Sequence, residues 1–236
     1  MMRNVVFFSF VGLGLLSFLA GLPAFGEERA PELERDQTSR TLEAFDQGLS
    51  LEDRRLLKQV APGERYRLTP RQRNHYDERQ KLKEESEYWN KVVLLKRDLL
   101  RMPGGLDVRE AEEIAKTAIQ GFSDLRKQYE MLRPAIFHNM LVNMGIKNGG
   151  LCWQWTRDLT KKLAALHLKS YDLLWATARE GTLREHNTVV VVARGHSLED
   201  GIFLDGWTHS GRPYWKRIPD DHKHPWKLGS YKGDDL

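Results

Sequence analysis

A cysteine, a histidine and an aspartate stand in an order that acyl-transfer chemistry can use. Cys152, the only cysteine in 236 residues, lies in Gly149-Gly150-Leu151-Cys152-Trp153-Gln154-Trp155, which reads as a helix start. His186 opens a valine-rich segment, and Asp205 closes a later apolar one. A thiol is a poor nucleophile until it loses its proton, and a helix N-terminus or a neighbouring imidazolium favours that loss. A carboxylate on the far side of the imidazole would fix its tautomer and stabilise its charged form. A lone cysteine is also often a small buried hydrophobe. Two readings therefore stand: inert core filler, or the nucleophile of a Cys-His-Asp triad.

The elements that must position these groups follow from residue spacing. Cys152, Trp155, Leu159, Leu163 and Leu166 recur at helical intervals, so the thiol heads a buried stripe and faces whatever that helix packs on. The period then changes, and strands are predicted over Tyr171–Ala178, His186–Ala193, Gly201–Trp207 and Pro213–Ile218. The sheet they form is the surface expected to receive the helix, bringing the sulfur toward His186. Along its strand His186 shares a face with Thr188, Val190 and Val192. In antiparallel pairing without a bulge, His186 and Asp205 share a face only if paired residue numbers sum to an odd total, as when either His186 or Thr188 lies opposite Asp205. The backbone N–H of Cys152 is the default oxyanion donor, with Asn148 or Gln154 as candidate side-chain amides. Trp153 and Trp207 flank the expected cleft.

Glycine-x-cysteine at a helix start, histidine opening a valine-rich strand, and Leu204-Asp205-Gly206-Trp207 one strand later resemble the transglutaminase-like cysteine proteinase superfamily. The bacterial periplasmic members are the comparison, and the resemblance spans roughly Gly149 to Trp207. It implies a papain-like core with Cys152 as nucleophile, His186 as general base and acid, and Asp205 as the orienting carboxylate. It also implies acyl transfer through a thioester, ending in hydrolysis or transfer to an amine, on a peptide or cell-wall substrate. No cofactor is expected. Trp153-Gln154-Trp155 stands where bacterial members often carry acids, so a calcium requirement does not transfer. Asn187 stands where a small residue is commoner.

The fold class expected is α+β, a helical N-terminal region followed by this core over 149–236. Met1-Met2-Arg3-Asn4, the apolar run Val5–Phe25 and Ala24-Phe25-Gly26 read as a signal peptide over 1–26, with Glu27 as first mature residue. A periplasmic or secreted protein follows, or one held in the inner membrane by 5–25 if the segment is retained. Membrane contact is expected through that segment alone. It carries one Arg and no acid, leaving 36 basic against 33 acidic residues, a balance that does not favour nucleic acid as partner. Residues 27–68 read as a flexible lead-in with short helices, and 69–148 as a helical region. Within it, a helix from Pro70 to about Met102 has an almost wholly polar first half, so only its second half is expected to dock. Asp107 and Glu110 form a capping-box-like start for the next helix.

Two rival functions remain. A catalytically silent member of the same fold would serve as a cell-envelope binding or scaffold protein through the long helix. A divalent metal could sit among Asp220, Asp221, His222 and His224, with His209 and His196 nearby, although no HExxH or CxxC spacing accompanies them.

Overall fold

Sheet and helices divide the chain in sequence order. The computed structural model describes residues 30–104 and 106–229; the expected signal segment 1–26 lies outside them. The helices are α1 (Pro31–Gly48), α2 (Leu51–Gln59), α3 (Pro70–Leu99), α4 (Val108–Gln128), α5 (Ala135–Asn143) and α6 (Cys152–Ala164). The strands are β1 (Tyr171–Ala178), β2 (His186–Ala193), β3 (Ile202–Asp205), β4 (Tyr214–Arg217) and β5 (Trp226–Leu228). They form one antiparallel sheet in the order β4-β3-β2-β1-β5. The α+β class is therefore as expected. No helix among the described residues is long and apolar enough to cross a membrane.

Helix ends follow local chemistry. Ser50 accepts from the Asp53 N–H, and Thr69 and Gln72 cap each other reciprocally at the start of α3. Asp107 caps α4 by accepting from Arg109 and Glu110 N–H groups. Glu110 does not close the box as expected. Its carboxylate accepts from the backbone of Lys169 and Ser170 and from the Ser170 hydroxyl, tying α4 to the chain entering β1.

The N-terminal helices depart from the expectation of a flexible lead-in. Pro31–Gly48 is one continuous helix laid along α3. The polar first half of α3 is docked by pairing: Arg79 forks onto Asp46, Gln72 donates to Asp53, and Ser39 meets Ser86. Tyr76 is buried against Leu57 and Leu68. Lys96 is buried between Glu32 of α1 and Glu112 of α4, at 3.2 and 2.9 Å. Burial alone would lower its pKa, but the two carboxylates raise it above the ordinary lysine value.

The main core lies between the helices and one sheet face. Phe122 and Leu125 of α4, with Trp155, Leu159 and Leu163 of α6, meet Val189, Val191, Ile202 and Leu204. The other face carries Ala176, Val190, Val192 and Phe203, covered by Trp226, Tyr214 and Ile218. All of β2 is buried, which explains its unbroken valine run. Gly206 follows Asp205 where the sheet meets α6. A Cβ there would come within 2.5 Å of the Trp155 ring and 2.6 Å of Phe122. Gly206→Ala is expected to cost roughly 1–3 kcal/mol by overpacking, read as a lower urea midpoint; an unchanged midpoint would refute this contact.

Candidate active site

The register decides whether the histidine and the carboxylate can meet. β2 and β3 pair Val189 with Leu204, Val190 with Phe203 and Val191 with Ile202, an odd sum throughout. Continuing that register sets Thr188 opposite Asp205 and puts Asp205 on the face of His186. His186 Nε2 lies 3.0 Å from Asp205 Oδ2, and both side chains are almost wholly buried. Asp205 Oδ1 accepts from the N–H groups of Trp207 and Thr208, so the turn after β3 holds the carboxylate in place.

α6 packs on the sheet, as expected, and takes the face opposite that of His186, against Val189, Val191, Ile202 and Leu204. β2 begins at His186, so the imidazole sits at the strand's end. There its ring lies 5.1 Å from Trp207, on the helix side, and 5.6 Å from Trp226, on the other. The thiol at the start of α6 lies by this end, beside Glu185 and Asn187.

Cys152 Sγ is 3.9 Å from the Glu185 carbonyl and 3.9 Å from Asn187 Nδ2. Burial pushes the Cys152 thiol up, but the His186 imidazole, its charge and Asn187 together bring it below the ordinary thiol value. Burial likewise opposes the imidazolium of His186. The Asp205 carboxylate and the neighbouring sulfur outweigh that and push its pKa up to about 9. Asp205 is itself buried, yet His186 and Thr208 hold its carboxyl below the usual range. An ionised carboxylate only accepts, so Nε2 carries a proton. That leaves Nδ1, buried and without a hydrogen-bond partner among the described residues, as the nitrogen available to the thiol proton.

The loop before Cys152 is held from α5. His138 is fully buried; its Nδ1 accepts from the Leu132 N–H, so Nε2 donates to the Gly149 carbonyl at 2.8 Å. Gly150 has φ +106°, and a Cβ there would lie 2.5 Å from His138 Nε2. His138→Ala would leave the buried Gly149 carbonyl unpaired and take from the Leu132 N–H its partner. The expected loss is about 1–3 kcal/mol, read by urea unfolding; a loss under about 1 kcal/mol would refute the clamp. From the next position, Asn139 accepts from Trp207 Nε1.

The expected oxyanion amides lie elsewhere. Gln154 turns its carbonyl back onto the N–H groups of Gly150 and Leu151, capping α6. Asn148 is exposed, and no hydrogen bond joins it to the site among the described residues. The amide beside the sulfur belongs to Asn187. Its Oδ1 accepts from Trp175 Nε1 and Thr177 Oγ1, which fixes the flip and directs Nδ2 toward Glu185 and the thiol. A polar residue near the start of a valine-rich strand is the signal the sequence offers. Of the cleft tryptophans, Trp207 lies against the imidazole, while Trp153 is half-buried under the Arg157 guanidinium.

The proposed metal residues serve a different contact. His224 Nδ1 and Trp226 Nε1 both bond Asp221 Oδ2, at 2.8 and 2.9 Å, and the His224 ring lies 5.5 Å from that of His186. His222 is exposed. Among the described residues, no group of three or more His, Cys, Asp or Glu side chains could hold a metal ion. His224 and Trp226 reach His186 because β5 adds to the sheet beside β1, a strand too short to be seen in the residue pattern.

No protein-family model matches the chain, and neither a curated protein nor a solved structure does.

Proposed function

We propose that this chain is an exported thiol-dependent acyl-transfer enzyme of transglutaminase-like, papain-like type, acting on an amide bond of a peptide or cell-wall substrate. The observation that carries the reading is the buried His186, committed to Asp205 through Nε2 and left with Nδ1 for a thiol at a helix N-terminus. Transfer of the Cys152 proton to His186 Nδ1 gives a thiolate, which attacks the substrate carbonyl carbon. The backbone N–H of Cys152 and Asn187 Nδ2 stand nearest the sulfur as donors to the oxyanion that forms. The imidazolium returns its proton to the departing amine as the C–N bond breaks and the thioester remains. Water or a second amine then attacks the thioester, with His186 as base, and releases Cys152.

A second reading has one observation in its favour. Cys152 is only 9% exposed, as suits a silent scaffold whose long α3 carries the binding. Labelling separates the two. Iodoacetamide at pH 6, followed by mass spectrometry of the intact chain, is expected to modify Cys152 in the folded enzyme. A thiol that reacts only after denaturation would sink the enzymatic reading.

A further inference from the structure

Thr208 joins the triad to a second feature. Its N–H bonds Asp205, and its Oγ1 lies 3.4 Å from His186 Nε2. From there Thr208, Ser210 and Arg212 face Arg133, Pro134 and Ala135 across a hollow of about 440 Å³. Arg126 of α4 stands beside it. Gly211, at φ +86°, folds the turn so closely onto α4 that a Cβ would lie 2.5 Å from Arg126 Cβ and Cγ. Three guanidiniums are thus gathered within range of one another: the Arg212 charge, then burial and Arg126, hold Arg133 below the ordinary arginine pKa.

The local acids do not neutralise this cluster. Glu130 is tied to Lys147, and Asp124 to Gln120 and Lys162. Glu84, Glu87 and Glu130 line the adjoining groove on the side of Arg126 and Arg212, with Glu87 paired to Lys83. Among the described residues, no ion pair is formed by Arg126, Arg133 or Arg212. Guanidinium groups present fixed donor forks that match the two oxygens of a carboxylate or phosphate.

We propose that this hollow binds an oxyanion of the acyl substrate, a carboxylate or a phosphate, held by Arg133 and Arg212 with Arg126 adding charge. The proposal rests on the triad reading for its link to catalysis and names the substrate class as anionic.

Calorimetric titration of the full chain with succinate and with inorganic phosphate reads binding without using the thiol. Saturable binding is expected, weakened about tenfold or more in the Arg133→Gln/Arg212→Gln variant. Both side chains are exposed, and a thermal melt checks the variant's fold. Tighter binding of succinate assigns a carboxylate, and tighter binding of phosphate assigns a phosphate. No saturable heat from either, or equal affinity in the variant, overturns the proposal whatever Cys152 does. The link to the triad is read from Cys152 alkylation at low ionic strength, with anionic iodoacetate against neutral iodoacetamide. The ratio of the two rates is expected to fall about tenfold in the variant, the low end of electrostatic steering, while the iodoacetamide rate is unchanged. An unchanged ratio removes the hollow from the substrate's path; a wild-type thiol inert to iodoacetamide counts against the triad reading instead.

Discussion

Alkylation of Cys152 is expected to depend only weakly on pH between 6 and 8 in the wild-type chain, and steeply in His186→Ala. An ordinary thiol with a pKa of about 8.5 is only about 0.3% thiolate at pH 6. Its log rate climbs with a slope near one per pH unit. The pairing of Cys152 with His186 lowers the thiol's pKa, so the reactive form persists toward acid. A fully ionised thiol gains about 300-fold in thiolate at pH 6 over the ordinary one. Lower basicity makes each thiolate less nucleophilic and removes about half of that gain on a logarithmic scale. A net advantage on the order of tenfold at pH 6 remains. The slope is the sounder readout, because burial slows both proteins without tilting either profile. Near pH 9 His186 loses its proton, the thiolate loses its counter-charge, and a second rise in rate is expected. A wild-type slope near one from pH 6 to 8 would mean that no thiolate–imidazolium pair exists.

How far this arrangement was legible in the residues depends on the kind of force involved. The paired strands β1 and β2 announce themselves because their apolar runs are long and bounded, and their observed limits match the predicted ones. The odd-sum register is readable only as a condition, since loop conformation decides between it and its neighbour one residue away. Docking of the first half of α3 is invisible to hydropathy because Arg79–Asp46 and Gln72–Asp53 hold it where an apolar stripe would be sought. The sheet face that α6 takes is not written in the residue pattern, for a related reason. β2 is apolar on both faces, so its pattern does not say which one takes the helix. The place of Asn187 beside the thiol, and of His224 beside His186 rather than on a metal, is not legible because both are set by neighbours remote in sequence: Trp175 and Thr177 for the first, and the addition of β5 for the second.

Asp205→Ala is expected to destabilise the protein by up to about 3 kcal/mol more near pH 5.5 than near pH 9.5. The sign follows from the direction of each shift. His186 is raised from 6.5 to about 9, so its contribution is full below pH 6.5 and is lost as pH rises through about 9. Asp205 is lowered, so its contribution is present above the ordinary carboxylate value and is lost as pH falls below it. The two windows overlap between about pH 4 and 6.5, where urea unfolding is expected to show the largest gap from wild type. Asp205→Asn distinguishes charge from geometry. Its amide oxygen can still accept from Trp207 and Thr208, so the turn is kept and less stability is lost. Its NH2 group would face His186, however, and a donor there requires Nε2 to accept. The imidazole then carries its proton on Nδ1, where the thiol proton would have to go. Asp205→Asn is therefore expected to show the steep alkylation profile of His186→Ala while remaining more stable than Asp205→Ala. An equal stability loss in both variants, or a shallow profile in Asp205→Asn, would show that the carboxylate neither charges His186 nor sets its tautomer.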